Sequence, residues 1–206
     1  QMQTASTFTG AGWYTAIWNM VVGSYPTLKP PAAPNVAPVA VAQTVATDED
    51  TDLAVTLTAT DGNTGDTLTF TVESQPQHGA LTGTAPSLIY TPSTDYNGTD
   101  SFAFKVNDTT VDSNTATVSI TINPVNDAPS GSVTISGTTT EDQVLTASNN
   151  LADEDGLGSI SYQWKRAGDA IPGASASTYI LTQADVGKAI TVTASYTDGQ
   201  SSSESV

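Results

Sequence analysis

Residues 53–59 read Leu-Ala-Val-Thr-Leu-Thr-Ala, so larger apolar side chains alternate with alanine or threonine. The same alternation returns at 68–72, 102–106 and 118–122. A period of two is typical of antiparallel β-strands that bury one face. Turn residues separate these stretches, and no helical period is present between residues 40 and 122. The pattern therefore predicts one β-sandwich.

Residues 130–206 repeat this pattern at 133–135, 160–164 and 190–196. Trp164 and the corner Ala-Asp-Val-Gly-Lys at 184–188 resemble an immunoglobulin-like sandwich, although the chain has no cysteine. A bacterial-type variant of that fold is implied. We predict an all-β chain of two tandem β-sandwiches, preceded by a short aromatic β segment.

Two proline-containing linkers divide the chain. The first is Lys-Pro-Pro-Ala-Ala-Pro at 29–34, and the second is Asn-Pro-Val-Asn-Asp-Ala-Pro at 123–129. Fixed proline φ angles and small residues make such stretches semi-rigid and extended. The predicted divisions are an N-terminal segment with its linker at 1–34, a first module at 35–127 and a second module at 128–206.

The charge of the chain is strongly negative, with 21 acidic residues against 5 basic ones and a net charge of -16. All of the acids lie after residue 34. Such a surface repels polyanions, which excludes nucleic acid as a partner and argues against anionic membranes. There is no apolar run long enough to insert in a membrane. The first residues lack the charged and apolar regions of a secretion signal, which favours a mature or excised segment.

Catalytic groups are scarce. The absence of cysteine excludes a thiol nucleophile, a disulfide scaffold and a thiolate metal site. The single histidine, His78, excludes a zinc site with two histidine ligands. It lies in a Pro-Gln-His-Gly sequence, and we interpret it as a turn residue. The sequence predicts a protein that is not an enzyme.

Acids recur at matching positions in the two modules. Glu49 and Asp61 have the same separation as Glu141 and Asp153. Calcium takes about six to eight hard oxygen ligands from carboxylates, amides and carbonyls in loops. Cations are therefore the expected partners, with calcium as the cofactor. The alternative is that these are solvated loop acids, since acids also favour turns.

Further motifs surround these acids, at 75–81, 90–92, 95–102 and 123–129. Together they resemble the bacterial cadherin-like tandem repeats of very long secreted adhesins, over residues 35–129. The resemblance implies calcium at domain junctions, and it implies that Asp61, Asn63 and Asp108 face the preceding linker. The implied ligands of the junction between the modules are Glu49, Asp95, Asn126, Asp127, Asp153 and Asp155.

Residues 1–30 resemble the closing unit of glycine-rich β-solenoid repeats in bacterial secreted surface proteins. The resemblance is carried by Phe-Thr-Gly-Ala-Gly-Trp at 8–13, Ile-Trp-Asn at 17–19 and the stretch 23–29. Stacked repeats bury their faces against neighbours. We therefore expect this segment to pack on a region outside the chain, to pack on its own sandwich, or to stay flexible.

Three functions remain open. The first is a secreted or cell-surface bacterial adhesion module, a spacer stiffened by calcium, with neighbouring repeats as partners. The second is a subunit of a self-assembling extracellular filament, in which residues 1–30 add a strand to an identical subunit. The third is a carbohydrate-binding accessory module, with Trp13 and Trp18 stacking on sugars. Surface glycans or proteins would be the targets.

Overall fold

The computed structural model describes residues 33–206. The aromatic segment, and with it the filament and sugar-binding hypotheses that depend on residues 1–30, lies outside the described residues. Within them the framework consists of β-strands, with a single 3₁₀ turn at Gln183–Asp185. The predicted all-β fold class is confirmed.

The first module is a sandwich of two main sheets. One has the strand order β2-β9-β8-β5 and the other the order β3-β7-β6, while β1 and β4 form a separate short pair. The strands are β1 Val39–Ala40, β2 Gln43–Asp48, β3 Leu53–Thr56, β4 Ala59–Thr60, β5 Thr69–Ser74, β6 Gly79–Thr84, β7 Ser87–Pro92, β8 Gly98–Asn107 and β9 Ala116–Asn123. The β2 and β9 strands are parallel, and the other pairs are antiparallel.

The core of the first module is one continuous cluster of buried side chains from both sheets. Every second residue of β8 from position 100 onward is buried, and so is every second residue of β9. The alternation read from the sequence is thus the alternation of core and solvent. Tyr90 of β7 and Phe104 of β8 are fully buried at its centre.

One predicted strand is divided in the structure. The stretch 53–59 changes partner after Thr56, because β3 pairs with β7 whereas β4 pairs with β1. Between them the amide of Leu57 donates to Pro86 O at 2.9 Å, and the amide of Val41 donates to Thr58 O at 3.0 Å. The side-chain alternation continues through this crossing, which is why the sequence pattern does not reveal it.

The second module has a three-stranded sheet, β10-β11-β14, and a four-stranded sheet, β13-β12-β15-β16. Trp164 of β12 is fully buried, and its Nε1 donates to Ala176 O at 2.9 Å. The strands are β10 Val133–Gly137, β11 Val144–Asn149, β12 Ser161–Arg166, β13 Asp169–Ala170, β14 Thr178–Ile180, β15 Ile190–Thr197 and β16 Ser203–Ser205.

Each module buries a carboxylate that organises its loops. Asp100, 8 % exposed, accepts hydrogen bonds from three backbone amides and from the Tyr90 hydroxyl. Asp185, 6 % exposed, accepts from Arg166, Tyr179 and Thr182. In both cases burial raises the pKa of the acid, but these donors outweigh it and hold the pKa below the ordinary value.

We expect the stability of the described modules to fall below about pH 4. An acid whose pKa is lowered by folding stabilises the protein above its unfolded pKa, and that contribution disappears as the pH falls through the folded pKa. Urea unfolding midpoints measured from about pH 6 down to pH 2 test this. The Asp185→Asn variant should lose the pH dependence of stability that Asp185 gives to the second module. A wild-type midpoint that stays constant with pH would contradict the lowered pKa values of Asp100 and Asp185.

Candidate metal centre at the module junction

The linker between the modules is held by side chains from both sides. Glu49, only 4 % exposed, accepts a hydrogen bond from the amide of Val125 through Oε1 at 2.5 Å. The amide of Asp127 donates to Asp155 Oδ2 of the second module at 2.6 Å. Between them, Asn126 Nδ2 donates to Glu204 Oε1 at 3.0 Å. The course of the linker is therefore fixed by acids of both modules.

Three carboxylates from separate parts of the chain meet beside this linker. Asp50, Asp95 and Asp127 each offer an oxygen, and these three oxygens lie within 4.8 Å of one another. Asp50 lies in the turn after β2, Asp95 in the turn before β8, and Asp127 in the linker. Asp50 Oδ1 also accepts the amide of Asp95 at 3.3 Å, which ties the two turns together.

The electrostatics of this group are unfavourable when no cation is present. Partial desolvation, and after it the charge of Asp50, raises the pKa of Asp95. Desolvation and then the charge of Asp95 raise the pKa of Asp127 in the same way. A raised acid pKa means that folding disfavours the charged form, here first through desolvation and then through the neighbouring negative charges. A divalent cation would reverse the sign of this contribution.

The structure brings together only part of the predicted ligand set. Asp95 and Asp127 both belong to this cluster of three carboxylates, whereas the predicted ligands Glu49, Asp153 and Asp155 lie outside it. Glu49 and Asp155 are near enough for their charges to raise the pKa of Asp95 and Asp127. Asn126, the remaining predicted ligand, lies in the linker and donates to Glu204.

The acids outside the group are engaged with protein donors. Besides Val125, Glu49 accepts Asn97 Nδ2 through Oε2 at 3.3 Å. Asp153 accepts the amide of Asp155 at 2.9 Å and the Tyr196 hydroxyl at 2.5 Å. Asp155 accepts Gln200 Nε2 in addition to the linker amide. These residues shape the junction and contribute negative charge to it.

Asp50 was not among the ligands predicted from the sequence. It is the last acid of the run Asp48-Glu49-Asp50. The sequence therefore indicated that this run approaches the junction, but not which of its three acids does so. Asp50 has a φ of 55°, in the left-handed region, and Asp95 has the same value. These turns point the neighbouring side chains in directions that the spacing does not reveal.

A second group of carboxylates lies at the other end of the first module. Asp61, Asp66 and Asp108 each place an oxygen within 4.8 Å of the others. Asn35 Nδ2 donates to Asp108 Oδ2 at 2.9 Å, and Asn63 Nδ2 donates to Pro34 O at 3.1 Å. The structure thus places Asn63 and Asp108 against the preceding linker.

Residues 35–121 match the family model described as a bacterial Ig domain. The Ig-like description thus falls on the first module, where the sequence resemblance was to cadherin-like repeats, and the cadherin-like and solenoid resemblances stay predictions. No curated protein matches the chain in sequence. The described residues contain no helix with the length and apolar character needed to cross a bilayer.

Several solved structures resemble this chain at low similarity. An endo-fucoidan hydrolase from glycoside hydrolase family 107 has 17 % identity and a TM-score of 0.37, with 87 % of this chain and 29 % of that chain covered. A SusE-like surface located polysaccharide binding protein from the Bacteroides thetaiotaomicron heparin utilisation locus has 15 % identity and a TM-score of 0.32, covering 84 % and 32 %. The N-terminal Ig1-2 module of the Drosophila receptor protein tyrosine phosphatase DLAR has 10 % identity and a TM-score of 0.28, covering 82 % and 95 %.

The chain spans about a third of the length of the first two of these proteins. Likenesses at such scores and identities say nothing about binding or activity. The bacterial Ig domain match points to a non-catalytic module over residues 35–121.

Proposed function

We propose that this chain is a non-enzymatic module of a bacterial secreted or cell-surface adhesion protein, a spacer of two β-sandwiches stiffened by calcium at their junction. The observation that carries the proposal is the meeting of Asp50, Asp95 and Asp127 beside the linker. The bacterial Ig domain match over residues 35–121 supports the extracellular structural role.

The chemistry of the group suits calcium. Its donors are carboxylate oxygens, which hard cations prefer, and no histidine or cysteine takes part. Carbonyls of the linker and water would complete the coordination. Because Asp50 and Asp95 belong to the first module and Asp127 to the linker, a bound ion would join the linker to that module.

The same geometry explains how an ion would stiffen the pair of modules. The amide of Asp127 is already bound to Asp155 of the second module. Fixing the Asp127 carboxylate on an ion would therefore restrain the linker from both sides. An ion that binds the ordered junction and not the unfolded chain stabilises the folded protein by mass action.

Calcium is expected to raise the melting temperature of the full chain. For a dissociation constant near 0.1 mM, 10 mM calcium contributes about 2.7 kcal/mol, which corresponds to roughly 5–10 °C in a chain of this size. Scanning calorimetry with calcium and with a chelator measures the shift.

Two variants at the site should abolish this shift, namely Asp95→Asn and Asp127→Asn, since each removes a charged ligand while keeping its shape. The matched control is Asp112→Asn, an exposed acid in the loop between β8 and β9 that lies outside the junction group. It makes the same change in net charge and should keep the full shift. The proposed junction site would be contradicted if millimolar calcium did not change the melting temperature, or if all three variants lost the calcium-dependent shift equally.

A further inference from the structure

A polar groove lies on the outer face of the four-stranded sheet of the first module. It has a volume of about 550 Å³ and forms where the loop at 75–78, between β5 and β6, meets the outward face of β8 and β9. On that face Thr99 lies opposite Thr121, and Ser101 lies opposite Ser119. Two cross-strand pairs of hydroxyl side chains therefore form the floor of the groove.

The hydrogen-bonding groups of the groove are uncommitted. The four floor residues are exposed, and within residues 33–206 none of their hydroxyls bonds to another protein group. The same holds, in that part of the chain, for the side-chain amides of Gln75 and Gln77 in the loop. Hydroxyl and amide groups both donate and accept hydrogen bonds. The groove therefore offers the bonding that a ligand rich in hydroxyl groups requires.

The lining carries no charge that a ligand could pair with. Its one acid is the buried Asp100, whose two oxygens are already occupied by three backbone amides and the Tyr90 hydroxyl. Glu73, which precedes the lining residue Ser74, is paired with Lys105 at 3.0 Å. An anion would find no Lys or Arg in the lining, and a cation would find no free carboxylate. An uncharged ligand suits this surface of an acidic chain.

The groove offers neither an open backbone edge nor an apolar pocket. The β8 strand pairs with β9 and β5, and β9 pairs with β8 and β2, so a peptide strand cannot add to the floor. Ile120 is the one large aliphatic residue of the lining, and it is only 1 % exposed. A peptide would thus lack a site for an apolar anchor. Recognition falls to the hydroxyl and amide side chains.

The loop that lines the groove is fixed at both ends. At the β5 end, Ser74 Oγ accepts the amide of Ala103 at 3.0 Å. At the β6 end, Asp100 accepts the amides of Gln77 and His78, and the His78 ring stacks on Tyr96. A loop held in this way loses little conformational entropy when a ligand binds.

We propose that this groove binds an uncharged glycan, with Gln75, Gln77 and the pair Thr99 and Thr121 as its hydrogen-bonding partners. This goes beyond the spacer role. The first module would itself attach to a neutral polysaccharide, at a face that is separate from the carboxylates of the junction.

The test is an NMR titration of the full chain with neutral oligosaccharides of glucose, mannose, galactose and N-acetylglucosamine, each to about 10 mM and in the presence of a chelator. At least one of these probes should shift the amide resonances of Gln77, His78, Thr99 and Thr121. Oligogalacturonate, the anionic counterpart, should shift none of them. The proposal is wrong if every neutral probe leaves these resonances in place, or if the anionic probe binds as well as the neutral ones.

Two variants test the residues. Gln77→Ala removes a loop amide and Thr121→Val removes a floor hydroxyl at nearly constant shape, and each should weaken binding about fivefold. The matched control is Gln143→Ala, at an exposed glutamine of the second module, which should bind the probe as the wild type does. Unchanged His78 resonances in the free variants show that the loop is intact. Wild-type affinity in both groove variants would place the sugar elsewhere and overturn the proposal.

The glycan site and the calcium site can fail separately. The groove has no free carboxylate, so binding in chelator should equal binding in calcium. Asp95→Asn, which should abolish the calcium-dependent shift in melting temperature, should bind the oligosaccharide normally. Loss of sugar binding in Asp95→Asn would contradict an independent groove.

Discussion

Replacing Asp185 with alanine is expected to lower the free energy of unfolding of the second module by about 2–4 kcal/mol. Its carboxylate accepts Arg166 Nε at 2.6 Å, the Tyr179 hydroxyl at 2.8 Å, and the amide and hydroxyl of Thr182 at 2.7 and 2.9 Å. Alanine leaves all of these donors without their acceptor. The Arg166 side chain is 30 % exposed and regains water, which keeps the cost below that of breaking a fully buried ion pair.

Urea unfolding followed through the indole resonance of Trp164 reports on the second module, because Trp164 is the only tryptophan after residue 18. The matched control is Asp169→Ala, which removes an exposed acid of the same module and should change stability by less than about 0.5 kcal/mol. Tyr179→Phe removes a single donor and should cost about 1 kcal/mol. Equal effects of the Asp185 and Asp169 substitutions would show that the network contributes no stability.

The fold follows from the sequence wherever side-chain alternation and strand pairing agree. The period-two stretches at 102–106 and 118–122 lie in β8 and β9, and Trp164 is buried as the Ig-like resemblance implies. The division of 53–59 into β3 and β4 was beyond prediction. It depends on which distant strand each half pairs with, and the alternation of side chains carries no information about partners.

The candidate site follows the sequence less closely. Asp95 and Asp127 come together with Asp50, while Glu49 binds a linker amide instead of lying in the carboxylate group. Spacing identifies where acids are concentrated. It does not tell which oxygens are already occupied by hydrogen bonds, because the donors come from parts of the chain that are distant in sequence, such as Val125 for Glu49.

The acids that account for the net charge of -16 therefore fall into two classes, exposed acids that repel one another and buried acids that accept hydrogen bonds. Asp50 and Asp95 are exposed and their charges repel one another, so a bound cation, as proposed above, would stabilise them. Asp100 and Asp185 are buried and saturated with neutral or cationic donors, so they stabilise their modules without one. Substituting a buried acid should thus be costly in the presence of calcium and in its absence.

Asp100→Ala is expected to destabilise the first module by about 3–5 kcal/mol, with or without calcium. Asp100 occupies a core-facing position of β8, two residues before the buried Phe102. It accepts the amides of Gln77 and His78, both at 2.9 Å, and so holds the loop before β6 against the sheet. The hydroxyl of the fully buried Tyr90 donates to it at 2.9 Å.

In Asp100→Ala the loop before β6, which contains Gln77 and His78, should be the first part of the module to lose its native structure. The His78 ring stacks on Tyr96 with centroids 4.0 Å apart, so its NMR resonances report whether the loop stays in place. Asp100→Asn keeps the shape and one acceptor oxygen and should cost roughly half as much. Asp112→Ala, at an exposed position of the same module, removes a hydrogen bond from Asn107 Nδ2 and should change the unfolding free energy by less than about 0.5 kcal/mol while leaving the His78 resonances unchanged. If Asp100→Ala is no more harmful than Asp112→Ala, the buried carboxylate does not hold the loop, and packing around Tyr90 and Phe102 alone fixes this end of the sandwich.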